Sequence, residues 1–299
     1  MITTFVSAAD VMAKVSAAAA SGEPPRRFSL CGTGGAFGHV EVAPGQVALL
    51  GGAPGSGKTA LVMQWAVEAL RLDPNLRAVV LNVEMTPESL VERQLARLSG
   101  LPLKFIRGQA VPSDRAAEFE AGRADLASVA DRLAFVAGTT MASATGAADA
   151  FGADLLVVDY VQRVRPAADA GDSRAAVNAL MGELRRVAAC GVAVVAVAAV
   201  GRQKDDAGRS GYTHLGLASF RESSELEYGA DSAYILRPAG TTAATLACVK
   251  NRHGELADVQ LSWDGGTQRF GPAGPAAHAP ADLAKLFGDP SPGGEGGDW

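Results

Sequence analysis

Gln46 to Thr59 reads QVALLGGAPGSGKT, a short apolar run that breaks into glycines and ends on Lys-Thr. From Gly52 to Gly57, Lys58 and Thr59 it fits the phosphate-loop spacing G-x-x-x-x-G-K-[ST], with Ala53, Pro54, Gly55 and Ser56 in between. Both flanks are of the kind the loop requires. Val47 to Leu50 read as a buried strand, and Leu61, Val62, Trp65, Ala66 and Leu70 continue at helical spacing. Between a strand and a helix, glycines let successive backbone N–H groups converge on phosphate oxygens, and the positive end of the helix adds to the field. Lys58 then reaches the β- and γ-phosphates, and Thr59 holds Mg²⁺ through its hydroxyl. The expectation is nucleoside triphosphate binding in an α/β domain.

Composition sets the bounds. With 299 residues, 48% of them apolar, the chain can form one large α/β domain with a sizeable core. The formal charge of −5 argues against a general polyanion binder, so any nucleic-acid contact must come from locally placed Lys and Arg. Cys31, Cys190 and Cys248 lie far apart without a C-x-x-C, which indicates neither a metal site nor a disulfide framework and fits a reducing cytoplasm. No apolar run reaches membrane-spanning length, and the N-terminus lacks a basic leader.

Along the chain, Ser7 to Ala20 reads as a short helix capped at Ser7, with Val11, Met12 and Val15 on one side. Its weakly apolar face suits packing on its own domain or on a neighbouring subunit. Gly22 to Arg27 is a linker, so residues 1–27 stand apart from a domain over 28–271. Arg77 to Val83 is a second buried strand. It delivers Glu84 to the sheet edge that carries the phosphate loop, where a carboxylate can polarise a water aimed at a γ-phosphate. The alternative role for Glu84, capping the helix over 88–99, is better filled by Thr86 and Pro87. Residues 103–130 carry a charged helical stretch that reads as a solvated face. Asp154 to Tyr160 is an apolar strand on which Asp159 is the natural partner of the phosphate loop at Mg²⁺.

A helix over 173–189 and a buried strand over 192–200 complete the alternation expected of a mostly parallel sheet. The polar, glycine-rich stretch that follows reads as a long loop. Its Arg202, Lys204 and Arg209 offer a surface for a nucleic-acid backbone. Strands over 231–236, 243–250 and 259–263 come next, the last two a hairpin turned at Asn251 to Glu255. Lys250, Arg252 and His253 beside that turn are either solvated turn residues or cations for a triphosphate. Residues 272–299 are a Pro/Gly-rich flexible tail with a short helical ADLAKLF.

Several of these stretches together resemble the RecA-like motor domain of DnaB-type, superfamily 4 replicative helicases. NVEMTPESLVERQLARLSG is similar to the family segment in which Glu-Met follows the second strand, implying that Glu84 is the catalytic carboxylate. DYVQRV resembles the family's metal-binding strand end, with Asp159 on Mg²⁺ and Gln162 just beyond. FRESSELEYGAD resembles the Arg-Glu-Ser segment and its acidic helix, implying that Arg221, Glu222 and Ser224 face single-stranded DNA phosphates. KNRHG is similar to the family's Lys-x-Arg-x-Gly turn, which implies that Arg252, with Lys250 beside it, is an arginine finger acting on a neighbouring subunit's nucleotide. The resemblance covers about Phe28 to Gly271. It implies a RecA-like P-loop fold with a C-terminal β-hairpin, ATP and Mg²⁺ as cofactors, a hexameric ring, movement on single-stranded DNA, and replication or mobile-element proteins as partners. Two departures stand out. Ala198 and Ala199 occupy the end of the fourth core strand, where the family usually carries polar residues including a nucleotide-sensing glutamine, and the family's N-terminal domain has no counterpart beyond the helix around Val11. They keep two other readings open: a RecA- or KaiC-like ATPase without unwinding, and a nucleotide-dependent assembly switch.

Overall fold

The computed structural model describes residues 6–30, 40–166, 171–201, 203–204, 210–211, 215–220 and 224–273. Helix α1 (Ala8–Ser21) leads to an antiparallel pair, β1 (Phe28–Ser29) with β2 (Glu41–Val42), and then to β3 (Val47–Gly52). The phosphate loop joins β3 to α2 (Lys58–Leu72). After it come β4 (Ala78–Asn82), α3 (Pro87–Ser99), α4 (Leu103–Arg107), α5 (Ala116–Ala130) and β5 (Leu133–Phe135). The next units are α6 (Met141–Phe151) with β6 (Leu155–Asp159), and α7 (Ser173–Ala189) with β7 (Ala193–Ala199). Short strands β8 (Gln203–Lys204) and β9 (Ser210–Gly211) pair antiparallel before α8 (Ser224–Gly229). Strands β10 (Ser232–Pro238), β11 (Ala243–Asn251), β12 (Val259–Asp264) and β13 (Arg269–Pro272) end the described chain.

Nine strands form one sheet in the order β13-β12-β11-β10-β3-β7-β6-β4-β5. The six from β10 to β5 are parallel, and β11, β12 and β13 extend the edge antiparallel. This is the RecA-like α/β sheet the sequence predicts. Both faces are covered, so the central strands divide their side chains by period 2. Ala48, Leu50, Leu155 and Val157 join the core formed with α2, α3 and α5. Val47, Leu49, Leu156 and Val158 join the one formed with α6, α7 and α8. Trp65 of α2 is 1% exposed and meets Tyr234 edge-on at 6.2 Å. Trp65→Ala should cost about 3 to 5 kcal/mol of stability, read from the midpoint of a urea unfolding curve.

Local signals explain most boundaries. Ser7, Thr86 and Asp172 cap α1, α3 and α7 by accepting from the N–H groups of Asp10, Ser89 and Ala175. The face of α1 stays in solvent, since none of its residues is buried and Met12 is 68% exposed, so it does not pack on its own domain. The structure also departs from the sequence-based reading. Strand β5 and helix α6 went unrecognised, the first for its three residues and the second because MASATGAADAF is too uniformly small to show a period. Only its cap, Thr140 accepting from Ser143 N–H, marks it. The expected C-terminal hairpin, β11 with β12, is joined by a third strand, β13. The stretch expected to be one long loop after β7 contains β8, β9, a 3-10 turn at Leu217–Ser219 and α8. The tail, with its ADLAKLF segment, lies outside the described residues.

Candidate active site

The loop from Ala53 to Gly57 leaves the sheet at the carboxyl end of β3, next to the carboxyl ends of β7, β6 and β4, where open α/β sheets bind ligands. Gly57 has φ 91°, in the left-handed region, and a Cβ there would lie 2.9 Å from Phe270. Helix α2 starts at Lys58 with no side-chain cap, so its first N–H groups point into the loop. Lys58 Nζ donates to the carbonyls of Gly52 (2.9 Å) and Ala53 (2.8 Å) across the loop mouth. Burial lowers the ammonium's pKa, and the carboxylates of Asp159 and Glu84 oppose that shift. Ser56 Oγ is buried without a protein partner. A buried hydroxyl of this kind, with uncapped N–H groups beside it, fits a phosphate group.

Asp159 ends β6 and is 4% exposed. Burial raises its pKa, against hydrogen bonds from Thr59 and Asn82 and the charge of Lys58, with Glu84 pushing the same way as burial. Thr59 and Asp159 are thus in direct contact, two hard oxygen donors of the kind Mg²⁺ takes alongside phosphate oxygens and water. No cluster of three or more His, Cys, Asp or Glu side chains suited to a metal is present among the described residues. Sequence reasoning missed Asn82. Its Nδ2 donates to Asp159 Oδ2 at 2.7 Å, while its Oδ1 accepts from the N–H groups of Glu84 (3.0 Å) and Met85 (2.7 Å). One amide therefore orients the metal carboxylate and fixes the backbone that carries Glu84.

These groups open into a cavity of about 500 Å³ lined by Pro54, Gly55, Gly57, Lys58, Thr59, Glu84, Asp159, Tyr160 and Ala199. Its far wall was not anticipated: Met85 and Arg93 come from before and within α3, and Trp263 and Gln268 from the β12–β13 hairpin. Arg93 donates to Gln268. Trp263 packs on Phe270 with centroids 4.3 Å apart. The hairpin is held over the loop by Gln64 of α2, which exchanges hydrogen bonds of 2.8 and 3.0 Å with the Phe270 backbone.

Lys250 and Arg252 lie elsewhere. They sit where β11 ends, at the edge of the sheet where β10 begins, and the five steps from Asp231 to Leu236, which pairs with Gly52, span roughly 16 Å. Arg252 donates to Tyr228 O at 2.6 Å and stands 3.5 Å from Asp231 Oδ1, while Arg185 and the Val47 N–H also bind Asp231. Lys250 donates to the carbonyls of Glu227 and Tyr228. Neither cation reaches its own chain's phosphate loop. Of the residues expected to meet DNA, Arg202, Arg209, Arg221 and Glu222 lie outside the described residues, and for Lys204 in β8 and Ser224 at the start of α8 only the backbone is described.

Among solved structures, one described as an isolated ATPase domain is similar with a TM-score of 0.74 and 16% identity, over 90% of this chain and 100% of that one. Another, described as a DnaB-like replicative helicase and its interactions with primase, is similar with a TM-score of 0.73 and 16% identity, over 90% of this chain and 68% of that one. Identities this low establish the RecA-like fold alone. No curated protein matches by sequence. No described helix is long and apolar enough to cross a membrane. The sequence itself matches the DnaB-like helicase C-terminal domain over residues 41–272, and with the phosphate loop, Asp159 and Glu84 gathered at one sheet edge, this chain belongs to that family of P-loop ATPase domains.

Proposed function

We propose that this protein hydrolyses ATP at the interfaces of a homo-oligomeric ring, six-membered by family resemblance, and moves on single-stranded DNA. The observation that carries the reading is the separation just described. Lys58, Thr59, Asp159 and Glu84 converge on one cavity, while Arg252 sits on the opposite edge of the sheet and can serve only another copy's nucleotide.

In this reading residues 28–271 are the motor, and residues 1–27 supply a helix whose exposed face suits a neighbouring subunit. The backbone N–H groups from Gly52 to Thr59 cradle the phosphates. Lys58 carries positive charge to the β- and γ-oxygens. Thr59 and Asp159 hold Mg²⁺, which when bound neutralises phosphate charge. Glu84, fixed by Asn82, accepts a proton from the attacking water as its oxygen bonds to the γ-phosphorus and the bridge to ADP breaks. Arg252 of the next copy, with Lys250 beside it, stabilises the charge that builds on the γ-phosphoryl group.

Arg93, Gln268 and Trp263 line the part of the cavity away from the phosphates and are suited to a purine ring. Trp263→Ala should weaken binding of a fluorescent ATP analogue about tenfold and leave kcat within about twofold, as expected for an aromatic contact made equally in ground and transition states. DNA contact is assigned to Arg202, Lys204, Arg209, Arg221, Glu222 and Ser224, with affinity dominated by backbone phosphates and falling steeply with salt.

The test is ATP turnover with and without single-stranded DNA, followed by unwinding of a forked duplex. Stimulation with unwinding supports the helicase. Ala198 and Ala199 favour a second reading, a DNA-dependent ATPase that does not unwind, which stimulation without unwinding would select. Absence of stimulation would select the assembly switch. A cytoplasmic setting and replication or mobile-element partners belong to the helicase reading.

A further inference from the structure

The hydrogen-bonded ladder between β6 and β7 ends at the pair Asp159–Val197. Beyond it the chain after Asp159 turns away into a 3-10 turn, Val161–Arg163, while β7 runs on to Ala199. Ala199 has no backbone partner on that side, yet both its peptide groups are satisfied. Gln162 Oε1 accepts from Ala199 N–H at 2.9 Å, and Gln162 Nε2 donates to Ala199 O at 3.1 Å. A primary amide matches a peptide group in carrying one acceptor and donors in a plane, so this side chain adds one rung to the ladder.

The rung lies between two spaces. Tyr160 and Ala199 line the nucleotide cavity and also a second cavity of about 310 Å³ bounded by Gln162, Arg163, Ser173, Val200 and Gly201. Gln162 stands three residues from the metal carboxylate Asp159. Its partner Ala199 stands three residues before Arg202, where the segment assigned to DNA begins. Ala199 itself has no polar atom with which to sense a phosphate. We propose that Gln162 is the positioning residue that couples the nucleotide cavity to this segment, through the backbone of Ala199 and in place of a polar side chain there.

A shift of Asp159 and Tyr160 when nucleotide and Mg²⁺ bind moves the 3-10 turn, and the two hydrogen bonds carry that displacement to Ala199, Val200 and Gly201. Gly201 N–H in turn donates to Ser219 O at 2.9 Å, two residues before Arg221. The route thus reaches both ends of the segment. It rests on the proposed ATPase reading for its input, and only its DNA output depends on the motor reading.

Gln162→Met keeps the length of the side chain and removes both bonds. The decisive measurement is amide hydrogen exchange over residues 196–201, with and without a non-hydrolysable ATP analogue. In the unaltered protein the analogue should slow exchange at Ala199 about tenfold or more, the effect of roughly one hydrogen bond. In Gln162→Met that response should disappear while analogue affinity stays within about twofold and single-stranded DNA stimulation of turnover falls at least about fivefold. A variant that keeps the nucleotide response at Ala199, or an unaltered protein that lacks one, overturns the proposal. If Gln162→Met does not fold, Gln162→Glu retains the acceptor for Ala199 N–H and loses the donor, and it should show a reduced response; a full response overturns the proposal. If the unaltered protein is not stimulated by DNA, the motor reading fails and the exchange measurement still decides the coupling.

Discussion

Arg252→Ala should reduce ATP turnover by about 10³-fold or more while leaving analogue binding within about twofold. The asymmetry follows from where the residue sits. Its guanidinium is held by Tyr228 O and Asp231 at the edge of the sheet remote from its own phosphate loop, so removing it takes nothing from the cavity that binds nucleotide. What is lost is positive charge at the γ-phosphoryl group of the adjoining copy, where charge accumulates only in the transition state and the interaction therefore appears in kcat. Arg252→Lys should recover little, because a point charge on a shorter stem does not reproduce a guanidinium fork. Loss of binding equal to the loss of turnover would place Arg252 in ground-state recognition instead.

Lys58→Ala should abolish detectable turnover and weaken ATP binding at least about a hundredfold. The ammonium is half enclosed, within reach of the carbonyls of Gly52 and Ala53 and facing Asp159 and Glu84. Without it, two carboxylates face the triphosphate with Mg²⁺ as the sole nearby cation. Isothermal titration with an ATP analogue in Mg²⁺ separates the two variants, since Lys58→Ala loses the binding heat and Arg252→Ala keeps it. Full-strength binding by Lys58→Ala would mean that the loop N–H groups suffice to hold the phosphates.

The sequence made the phosphate side of the cavity legible because those residues are adjacent in the chain or end a strand. Gly52 to Thr59 form one loop, and Glu84 and Asp159 each follow an apolar run that can only be an interior strand. The other side was not legible. Arg93 reads as one more charge on an amphipathic helix, and Trp263 and Gln268 as hairpin residues. They meet only because Gln64, buried in α2, binds the backbone of a strand 206 positions away. Asn82 escaped for a related reason: an Asn at a strand end has many uses, and its role depends on a carboxylate 77 residues on. Helix α6 has no apolar stripe to read, since its buried faces are made by Ala144 and Ala148. By contrast, the caps at Ser7, Thr86 and Asp172 act over three residues and were open to direct reading.

Mixing two inactive variants tests most directly whether the nucleotide is bound by one copy and activated by the next. Lys58→Ala subunits keep the arginine, and Arg252→Ala subunits keep the phosphate loop. In an equimolar mixture about one interface in four joins an intact loop to an intact arginine. The account predicts that turnover rises well above that of either variant alone and peaks near equal proportions. Turnover that stays at the level of the separate variants at every ratio, in mixtures shown to co-assemble, would contradict it.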